Sequence, residues 1–310
     1  MKIYRSLRDY EAGPSPVVTL GTFDGVHPGH QAILRRVLAA AHRLQGEAVV
    51  ITFHPHPRKI LPHSTAPGLL STLQEKEEKL RELGIHKLLV IPFTQDFSQL
   101  EPADFVQAVL LNAVRAQRVV VGYDHRFGKN RTGDLALLER IAAEKGFAVE
   151  EIPAQEIDHA KVSSTRIREA LLTGQVAIAQ RLLGYAYSLQ ATVVHGDKRG
   201  RQLGWPTANL LPTSPEKLLP ATGVYAVRVH YHHHAYLGMM NIGTRPTVDG
   251  LNLVPEVHLL NFEGDLYGQQ LQVDFIDRIR DERKFHSLEE LKAQLAADAE
   301  QARRMMDGPR

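Results

Sequence analysis

The sequence predicts an α/β unit followed by a smaller all-β unit that ends in a helix. From the start to about residue 185, apolar strand patterns alternate with amphipathic helix patterns, as in a parallel sheet with helices on both faces. Short strand patterns separated by turns follow, which is typical of a small barrel or sandwich. A length of 310 residues suits two domains, and we expect them at 1–184 and 185–310.

Capping residues and breakers mark the predicted helices of the first unit. Thr72 and Glu75 form a capping-box pattern, and the helix that they open stops near Gly84. Pro102 suits the first turn of a helix that runs to about Val114. The remaining predictions are a helix over 135–145 and strands over 17–20, 48–53, 87–91, 118–121 and 147–152. Ligands of such sheets bind at the carboxyl ends of the strands, so we expect a site there.

The second unit is predicted to contain strands and one final helix. The strands cover 188–194, 224–231, 235–242, 256–262 and 270–276. The helix begins at Leu288 and runs to about Arg304, with Ser287 as its cap and Glu290 three residues later. This order predicts a compact β domain with a C-terminal helix.

Composition excludes several classes of protein. Hydrophobic residues make up 43% of the chain, enough for packed cores, yet no apolar run approaches membrane-spanning length. The absence of cysteine excludes disulfides, thiol catalysis and zinc–thiolate sites. Lys and Arg number 37 against 35 Asp and Glu, and the net charge of +2 gives no general nucleic-acid footprint. Since no cationic and apolar leader opens the sequence, we expect a cytoplasmic protein without membrane or nucleic-acid partners.

Glycines and histidines are concentrated in the segment 19–30, between an apolar strand and an amphipathic helix. Its three glycines allow close approach of the backbone to a ligand or a positive φ. The helix presents an apolar face formed by Ile33, Leu34, Val37, Leu38, Ala41 and Leu44. Its N-terminal N–H groups and dipole favour a phosphate, to which His27 and His30 can donate hydrogen bonds. The segment is therefore a candidate phosphate site, although taken alone it could equally be a polar strand-to-helix turn with incidental histidines.

Two further polar segments follow predicted strand ends. His54 and His56 lie within 52–57, where two prolines stiffen the backbone. These histidines could also bind a metal, although no third ligand lies nearby in sequence. The segment 122–128 follows another strand, and taken alone it could be a basic turn between strand and helix.

Hydroxyl groups and arginines are concentrated at 162–168. Ser163 precedes a helical run, so an ordinary N-cap is one interpretation. Arg166 and Arg168 cannot share a helical face, because they are only two residues apart. At least one of them is thus available for something other than a stripe of surface charge, and planar guanidinium groups suit phosphate oxygens.

The second unit has a glycine-rich basic loop of its own, at 195–204, followed by Trp-Pro-Thr-Ala-Asn at 205–209. Backbone N–H groups and cations in such a loop can cradle phosphates, although a hairpin tip with solvated charges would look similar. The histidines at 230 and 232–234 lie between two strand patterns. A metal site is possible there, but we favour an exposed hairpin tip.

Together, these segments resemble the bifunctional prokaryotic riboflavin kinase and FAD synthetase family. GTFDGVHPGH at 21–30 and SSTRIR at 163–168 resemble motifs of the nucleotidylyltransferase superfamily, the first in the form typical of bacterial FAD synthetases. TFHPHP at 52–57 and GYDHRFG at 122–128 resemble further motifs of the same enzymes, and 196–209 resembles the riboflavin kinase signature. The resemblance implies an α/β Rossmann-like nucleotidylyltransferase domain, then a small antiparallel β-barrel kinase domain with a C-terminal helix.

For the first unit, the resemblance implies adenylylation of FMN. The FMN phosphate attacks the α-phosphorus of ATP, which gives FAD and pyrophosphate. His27 and His30 are implied to stabilise the charge that builds on the α-phosphate. The implied ATP-binding residues are Gly21, Phe23, Asp24, Gly29, Ser164 and Arg168. The implied contacts to flavin or nucleotide are His56, Asp124 and Phe127.

For the second unit, the resemblance implies phosphorylation of riboflavin to FMN by another ATP. Glu256 is the implied base, and Thr207 and Asn209 are implied to hold Mg²⁺ and phosphate. The implied phosphate-binding set is Gly196, Lys198, Gly200, Arg201, Gly204, Pro206, Thr207 and Asn209. ATP is then the co-substrate, and riboflavin, FMN and FAD are substrate and products. We expect a monomer or a weak homo-oligomer.

Two other interpretations explain less of the sequence. A pantetheine-phosphate or nicotinate-nucleotide enzyme would account for 27–30 and 163–168, but not for 195–209. A nucleic-acid-binding module would account for the basic loop but predicts stacking aromatics, and aromatic residues make up only 6% of the chain. The chain departs from the family pattern at His54, where an acidic residue is usual, at His125, where Phe is usual, and at 185–186, where Arg-Pro is commoner.

Overall fold

The computed structural model of the chain describes residues 1–61, 68–154, 162–195, 204–247 and 250–307. The chain divides into two compact units, Met1–Ser163 and Ser164–Arg310. This division places the helices at Ser164–Leu172 and Val176–Leu183 in the second unit. One contact within that unit is the hydrogen bond from the Ala221 N–H to the Leu171 carbonyl oxygen, at 3.0 Å. The domain boundary predicted between 184 and 185 stays a prediction.

Six parallel strands form the sheet of the first unit, in the order β1-β4-β3-β2-β5-β6. They are β1 (Lys2–Tyr4), β2 (Val17–Leu20), β3 (Ala48–His54), β4 (Lys87–Pro92), β5 (Arg118–Gly122) and β6 (Ala148–Ile152). The helices are α1 (Pro28–Arg43), α2 (Pro57–Ile60), α3 (Leu73–Glu82), α4 (Gln95–Ser98), α5 (Pro102–Phe105), which continues as a π-helix over Val106–Ala113, and α6 (Leu135–Lys145). A 3₁₀ turn covers Lys129–Arg131.

Helices pack on both faces of this sheet, as the alternating pattern predicts. Val49 and Ile51 of β3 belong to a core that also contains Val109 of the π-helix and Leu138 of α6. Val50 points the other way, because successive side chains of a strand alternate between faces. It belongs to a second core, which it shares with Leu34 and Val37 of α1 and Leu80 of α3.

The second unit contains a closed antiparallel barrel in the order β10-β11-β8-β7-β12-β9, so a barrel rather than an open sandwich is confirmed. Its strands are β7 (Ser188–Val194), β8 (Ala208–Pro212), β9 (Gly223–Tyr231), β10 (His234–Thr247), β11 (Gly250–Leu259) and β12 (Gln270–Arg280). The helices α7 (Ser164–Leu172) and α8 (Val176–Leu183) precede it, and α9 (Leu288–Asp307) follows. Ala299 and Ala302 of α9 pack against Ala226, Met239 and Leu260.

Neighbouring strands of the barrel differ greatly in the number of residue pairs that join them. Strands β10 and β11 pair at ten positions, from Gly238–Leu259 to Thr247–Gly250. In contrast, β8 and β11 pair only at Glu256–Asn209 and Val257–Ala208 within the described residues. We call this two-pair joint the β8–β11 seam. None of the described helices is both long and apolar enough to cross a membrane.

Candidate active sites

The glycine- and histidine-rich segment forms the predicted turn at the carboxyl end of β2. His27 is the N-cap of α1, and its Nδ1 accepts a hydrogen bond from the backbone N–H of His30 at 3.4 Å. The two imidazole rings stack with their centroids 3.7 Å apart. Since Nδ1 of His27 accepts, the proton of its neutral ring lies on Nε2. The structure therefore brings both predicted histidines together at a helix N-terminus.

His30 is held as a neutral imidazole. Burial, reinforced by the nearby His27 and Lys76, lowers the pKa of His30 well below 6.5. Phe23 packs edge-on against its ring at 5.2 Å. Among the described residues, its buried Nδ1 has no hydrogen-bond partner. A neutral ring with an unsatisfied nitrogen is suited to a polar ligand, because leaving such an atom unpaired costs about 1–3 kcal/mol.

Asp24 ties this turn to the segment that precedes α3. Its carboxylate is only 2% exposed and accepts hydrogen bonds from the backbone N–H groups of Leu70 at 3.1 Å and Ser71 at 2.9 Å. In return, the N–H of Gly25 donates to Ser71 Oγ at 2.9 Å. These bonds position the turn, and the ATP-binding role assigned to Asp24 from the sequence stays a prediction.

Lys76 is a component of this site that sequence reasoning missed. The predicted capping box of Thr72 and Glu75 is confirmed, and it starts the helix that carries Lys76. The Lys76 ammonium donates to the Thr22 carbonyl oxygen at 2.6 Å. A signal was present, since Lys76 has helical spacing with the core residue Leu80, where a charged side chain is unusual.

The other strand ends of the sheet carry the second and third motifs. His56 caps the short helix α2, and its Nδ1 accepts from the N–H of Arg58 at 3.2 Å. Phe127 is buried and packs near Phe105, with ring centroids 5.8 Å apart. His125 stacks on Phe127 at 5.9 Å with nearly parallel rings. The ligand contacts predicted for His56, Asp124 and Phe127 stay predictions.

Ser164 and Arg168 lie in α7, at the beginning of the second unit. Their predicted contacts to ATP stay predictions. Of the phosphate-binding set predicted for the second unit, Gly196, Lys198, Gly200 and Arg201 lie outside the described residues.

Glu256, Thr207 and Asn209 are close together in the barrel, although 47 residues separate Asn209 from Glu256 in the sequence. Asn209 on β8 pairs directly with Glu256 on β11 across the β8–β11 seam. The Thr207 hydroxyl donates to Glu256 Oε2 at 3.5 Å. Asn209 is buried, whereas Thr207 is exposed and lines a cavity together with Pro206 and Tyr267. Three oxygen-bearing side chains thus converge beside a cavity.

Neighbouring side chains shape the mouth of this cavity. His258 Nδ1 lies 2.7 Å from the Pro206 carbonyl oxygen, and the His258 ring meets Trp205 edge-on at 5.0 Å. Tyr267, which lines the cavity, contacts the ring of His195 with centroids 4.0 Å apart. His258, on the neighbouring strand β11, therefore holds Trp205 and Pro206 in place just before β8.

The remaining histidines lie elsewhere. His232, His233 and His234 are exposed at the turn between β9 and β10, which confirms the predicted hairpin tip. His230 Nε2 lies 2.8 Å from Asp274 Oδ2. Within the part of the chain that the structure describes, no group of three or more His, Asp or Glu side chains could hold a metal ion.

The chain thus has two units, a parallel sheet with a two-histidine turn and a closed barrel with clustered oxygen side chains, and both sets of side chains suit binding of phosphate groups or their counter-ions. Comparison with known families agrees. The family model for FAD synthetase matches residues 10–166, and that for riboflavin kinase matches residues 183–306. The chain belongs to the bifunctional riboflavin kinase/FMN adenylyltransferase family.

Individual relatives match over nearly the whole chain. The bifunctional riboflavin kinase/FMN adenylyltransferase of Pseudomonas fluorescens is 41% identical over 93% of this chain and 92% of its own. That of Escherichia coli K12 is 38% identical over 98% and 97%. Among solved structures, one described as a macrolide-efflux protein from Streptococcus pneumoniae gives a TM-score of 0.88 at 35% identity, covering 97% of this chain and 98% of that one.

Proposed function

We propose that the chain makes FAD from riboflavin in two transfers from ATP. The second unit phosphorylates riboflavin to FMN, and the first unit adenylylates FMN to FAD with release of pyrophosphate. Support comes from the matches of the two families, in chain order, to residues 10–166 and 183–306. The observation that carries the proposal is that two chemically different sets of side chains, the His27–His30 pair and the Thr207–Asn209–Glu256 group, lie in separate units.

In the adenylylation step, the FMN phosphate is already an anion and needs no protein nucleophile. The site then has to stabilise charge on the α-phosphate during attack. The N-terminus of α1 offers backbone N–H groups and a positive dipole end, and His27 and His30 add ring N–H donors. Removing one such donor typically costs about 2.7–4 kcal/mol, or about 10²–10³ in rate.

In the kinase step, Glu256 accepts the proton of the ribityl hydroxyl as that oxygen attacks the γ-phosphorus. The bond from the γ-phosphorus to the β–γ bridging oxygen breaks, and ADP leaves. Glu256 Oε2 lies 3.5 Å from the hydroxyl of Thr207, which lines the cavity, so the carboxylate is placed beside that cavity. The group offers hydroxyl, amide and carboxylate oxygens, the type of ligand that Mg²⁺ prefers. Thr207 and Asn209 would hold the ion, which neutralises phosphate charge when bound.

Three further expectations stay predictions: the cytoplasmic location, the monomeric or weakly associated state, and the lack of nucleic-acid partners. Macrolide efflux is the description of the Streptococcus pneumoniae protein alone. We do not extend it to this chain, because the FAD synthetase and riboflavin kinase families account for both of its halves.

The proposal is tested by incubating the purified chain with riboflavin, ATP and Mg²⁺ and separating the products. We expect both FMN and FAD. If either product fails to form with excess ATP and Mg²⁺, the corresponding half of the proposal is wrong.

Two variants of the full chain test the assignment of each reaction to its unit. His30→Ala is expected to slow FAD formation about 10²–10³-fold while FMN still forms. Glu256→Gln keeps the shape of the side chain and removes its basicity, so riboflavin phosphorylation is expected to fall about 10²–10⁴-fold while supplied FMN is still converted to FAD. Loss of both activities in either folded variant would contradict two separate sites.

A further inference from the structure

Lys76 is a buried lysine at the junction of two motif-bearing strands. Its side chain lies on α3, and the residue is 7% exposed. The ammonium donates to the Thr22 carbonyl oxygen at 2.6 Å and to Thr52 Oγ1 at 3.4 Å. Thr52 itself donates to the same Thr22 carbonyl at 3.2 Å. Lys76 therefore joins the turn after β2 to β3, the two elements that carry the histidine motifs.

Among the residues that the structure describes, no carboxylate forms a direct ion pair with Lys76. Both hydrogen-bond acceptors described for its ammonium are uncharged oxygens, and burial lowers its pKa, with Asp24 and Glu77 acting in the opposite direction. Glu77 is itself paired with Arg5 at 2.7 Å. A buried cation is unfavourable unless something compensates its charge. An anion that binds at the turn would provide this compensation.

We propose that Lys76 is a positioning residue for FMN adenylylation. Its ammonium fixes the Thr22 carbonyl, and so the turn that presents His27 and His30, and its positive charge favours phosphate at that turn. This inference rests on the adenylyltransferase function proposed for the first unit. Lys76 acts through the turn and the local field, without contacting the reacting atoms.

The chain offers a matched control in Lys87, a second buried lysine on the same sheet. Lys87 is 5% exposed and lies at the first residue of β4, at the amino ends of the parallel strands. Its ammonium pairs with Glu47 at 2.5 Å and donates to the Glu11 carbonyl oxygen at 2.8 Å. Replacing Lys87 also removes a buried lysine charge, but at the end of the sheet opposite to His27 and His30.

The test compares Lys76→Met and Lys87→Met in the full chain. For Lys76→Met we expect kcat/KM for FMN adenylylation to fall about 10–100-fold, while riboflavin phosphorylation by the same preparation stays within twofold of the parent. Lys87→Met is expected to leave adenylylation within about threefold. Lys76→Gln keeps a hydrogen-bond donor without the charge, so its expected loss is at the lower end of this range, about tenfold, and it provides the measurement if Lys76→Met does not fold.

A second readout separates positioning of the site from general stability. The titratable groups that act on the His30 ring are His27 and Lys76, and Asp24 acts on Lys76 in turn. Loss of the Lys76 charge is expected to raise the pKa of His30, measured by NMR titration, whereas Lys87→Met is expected to leave it unchanged. Adenylylation within threefold of the parent in a folded Lys76 variant, or an unchanged His30 pKa, would overturn the inference. Absence of FAD formation by the parent would instead overturn the proposed function.

Discussion

His125 shows how a single residue can depart from the family pattern and still serve the fold. Its ring stacks on Phe127 at 5.9 Å with 20° between the planes, as an aromatic side chain would. Burial lowers the pKa of His125 to about 4, so the ring is neutral near pH 7. Here histidine therefore packs as an uncharged aromatic ring, at the position where Phe is usual.

This neutral ring links the stability of the first unit to pH. Because the folded chain holds His125 near pKa 4 and the unfolded chain near 6.5, the unfolded state binds more protons below pH 6.5. The associated stability is present above that pH and is lost as the pH falls towards 4. We expect His125→Phe to reduce the loss of unfolding free energy between pH 7 and pH 5 by about 2 kcal/mol, measured by denaturant titration of both proteins.

The alternative is that protonation of His125 does not oppose folding. The parent and His125→Phe would then lose the same unfolding free energy between pH 7 and pH 5. Such a result would contradict a neutral, half-buried imidazole at this position.

Local spacing predicted some site residues, and distant contacts supplied others. His27 and His30 could be predicted because they lie three residues apart on one turn and meet there. Ser71 and Lys76 could not be assigned to the site in this way, because they reach Gly25 and Thr22 across 46 and 54 residues. Sequence motifs reveal groups that lie together along the chain, whereas packing of α3 on the turn is a tertiary property.

At the scale of elements, α9 is joined to the barrel by a buried ion pair. Asp298 on α9 is fully buried, and it accepts hydrogen bonds from Arg280 Nε at 3.0 Å and Nη2 at 2.8 Å, at the end of β12. Gln294 Nε2 adds a third donor at 2.6 Å. The pair fixes the position of α9 against the last strand.

Removing one partner of this pair is expected to destabilise the second unit. Asp298→Asn leaves the half-buried Arg280 charge without its carboxylate, and breaking a buried pair typically costs about 3–5 kcal/mol. Trp205 is the one tryptophan of the chain and packs beside the contact between α9 and the barrel. Its fluorescence during denaturant unfolding therefore measures the stability of this unit.

A matched surface variant provides the control. Glu300 and Arg303 on the same helix form an exposed pair at 3.4 Å, and Glu300→Gln is expected to change stability by less than about 1 kcal/mol. Similar effects of the two substitutions would show that the Arg280–Asp298 pair does not hold α9.

Elements with capping residues or strong periodicity were predicted well, and others were not. The predicted bounds of β2, β7 and α6 match the structure. In contrast, β8 was missed, because its first residues were interpreted only as part of a phosphate-binding loop. The π-helical hydrogen bonding over Val106–Ala113 was also missed. An apolar helical pattern does not show whether each N–H bonds the carbonyl four or five residues earlier.

At the scale of the whole molecule, the two proposed catalytic groups lie in separate units of one chain. Because each reaction is assigned to its own unit, a mixture of two singly inactivated chains should complete the pathway. His30→Ala supplies FMN and Glu256→Gln converts it, so we expect the mixture to make FAD from riboflavin and ATP, after a lag that shortens at higher protein concentration. Chromatography of timed samples measures this.

Each variant alone, at the same total concentration, is the control and is expected to make little FAD. The mixture could make no more FAD than the two variants make separately, even though each variant retains its other activity. In that case FMN does not pass through solution. The two reactions would then be coupled within one chain.

The β8–β11 seam has a consequence for how the barrel and its ligands stabilise one another. Its two residue pairs include Asn209 and Glu256, so separation of the two strands would also pull apart the proposed catalytic group. A ligand that contacts both strands would bind only while they are paired. Its binding free energy would therefore add to the stability of the closed barrel by mass action. Substrate occupancy would then determine how often the barrel opens.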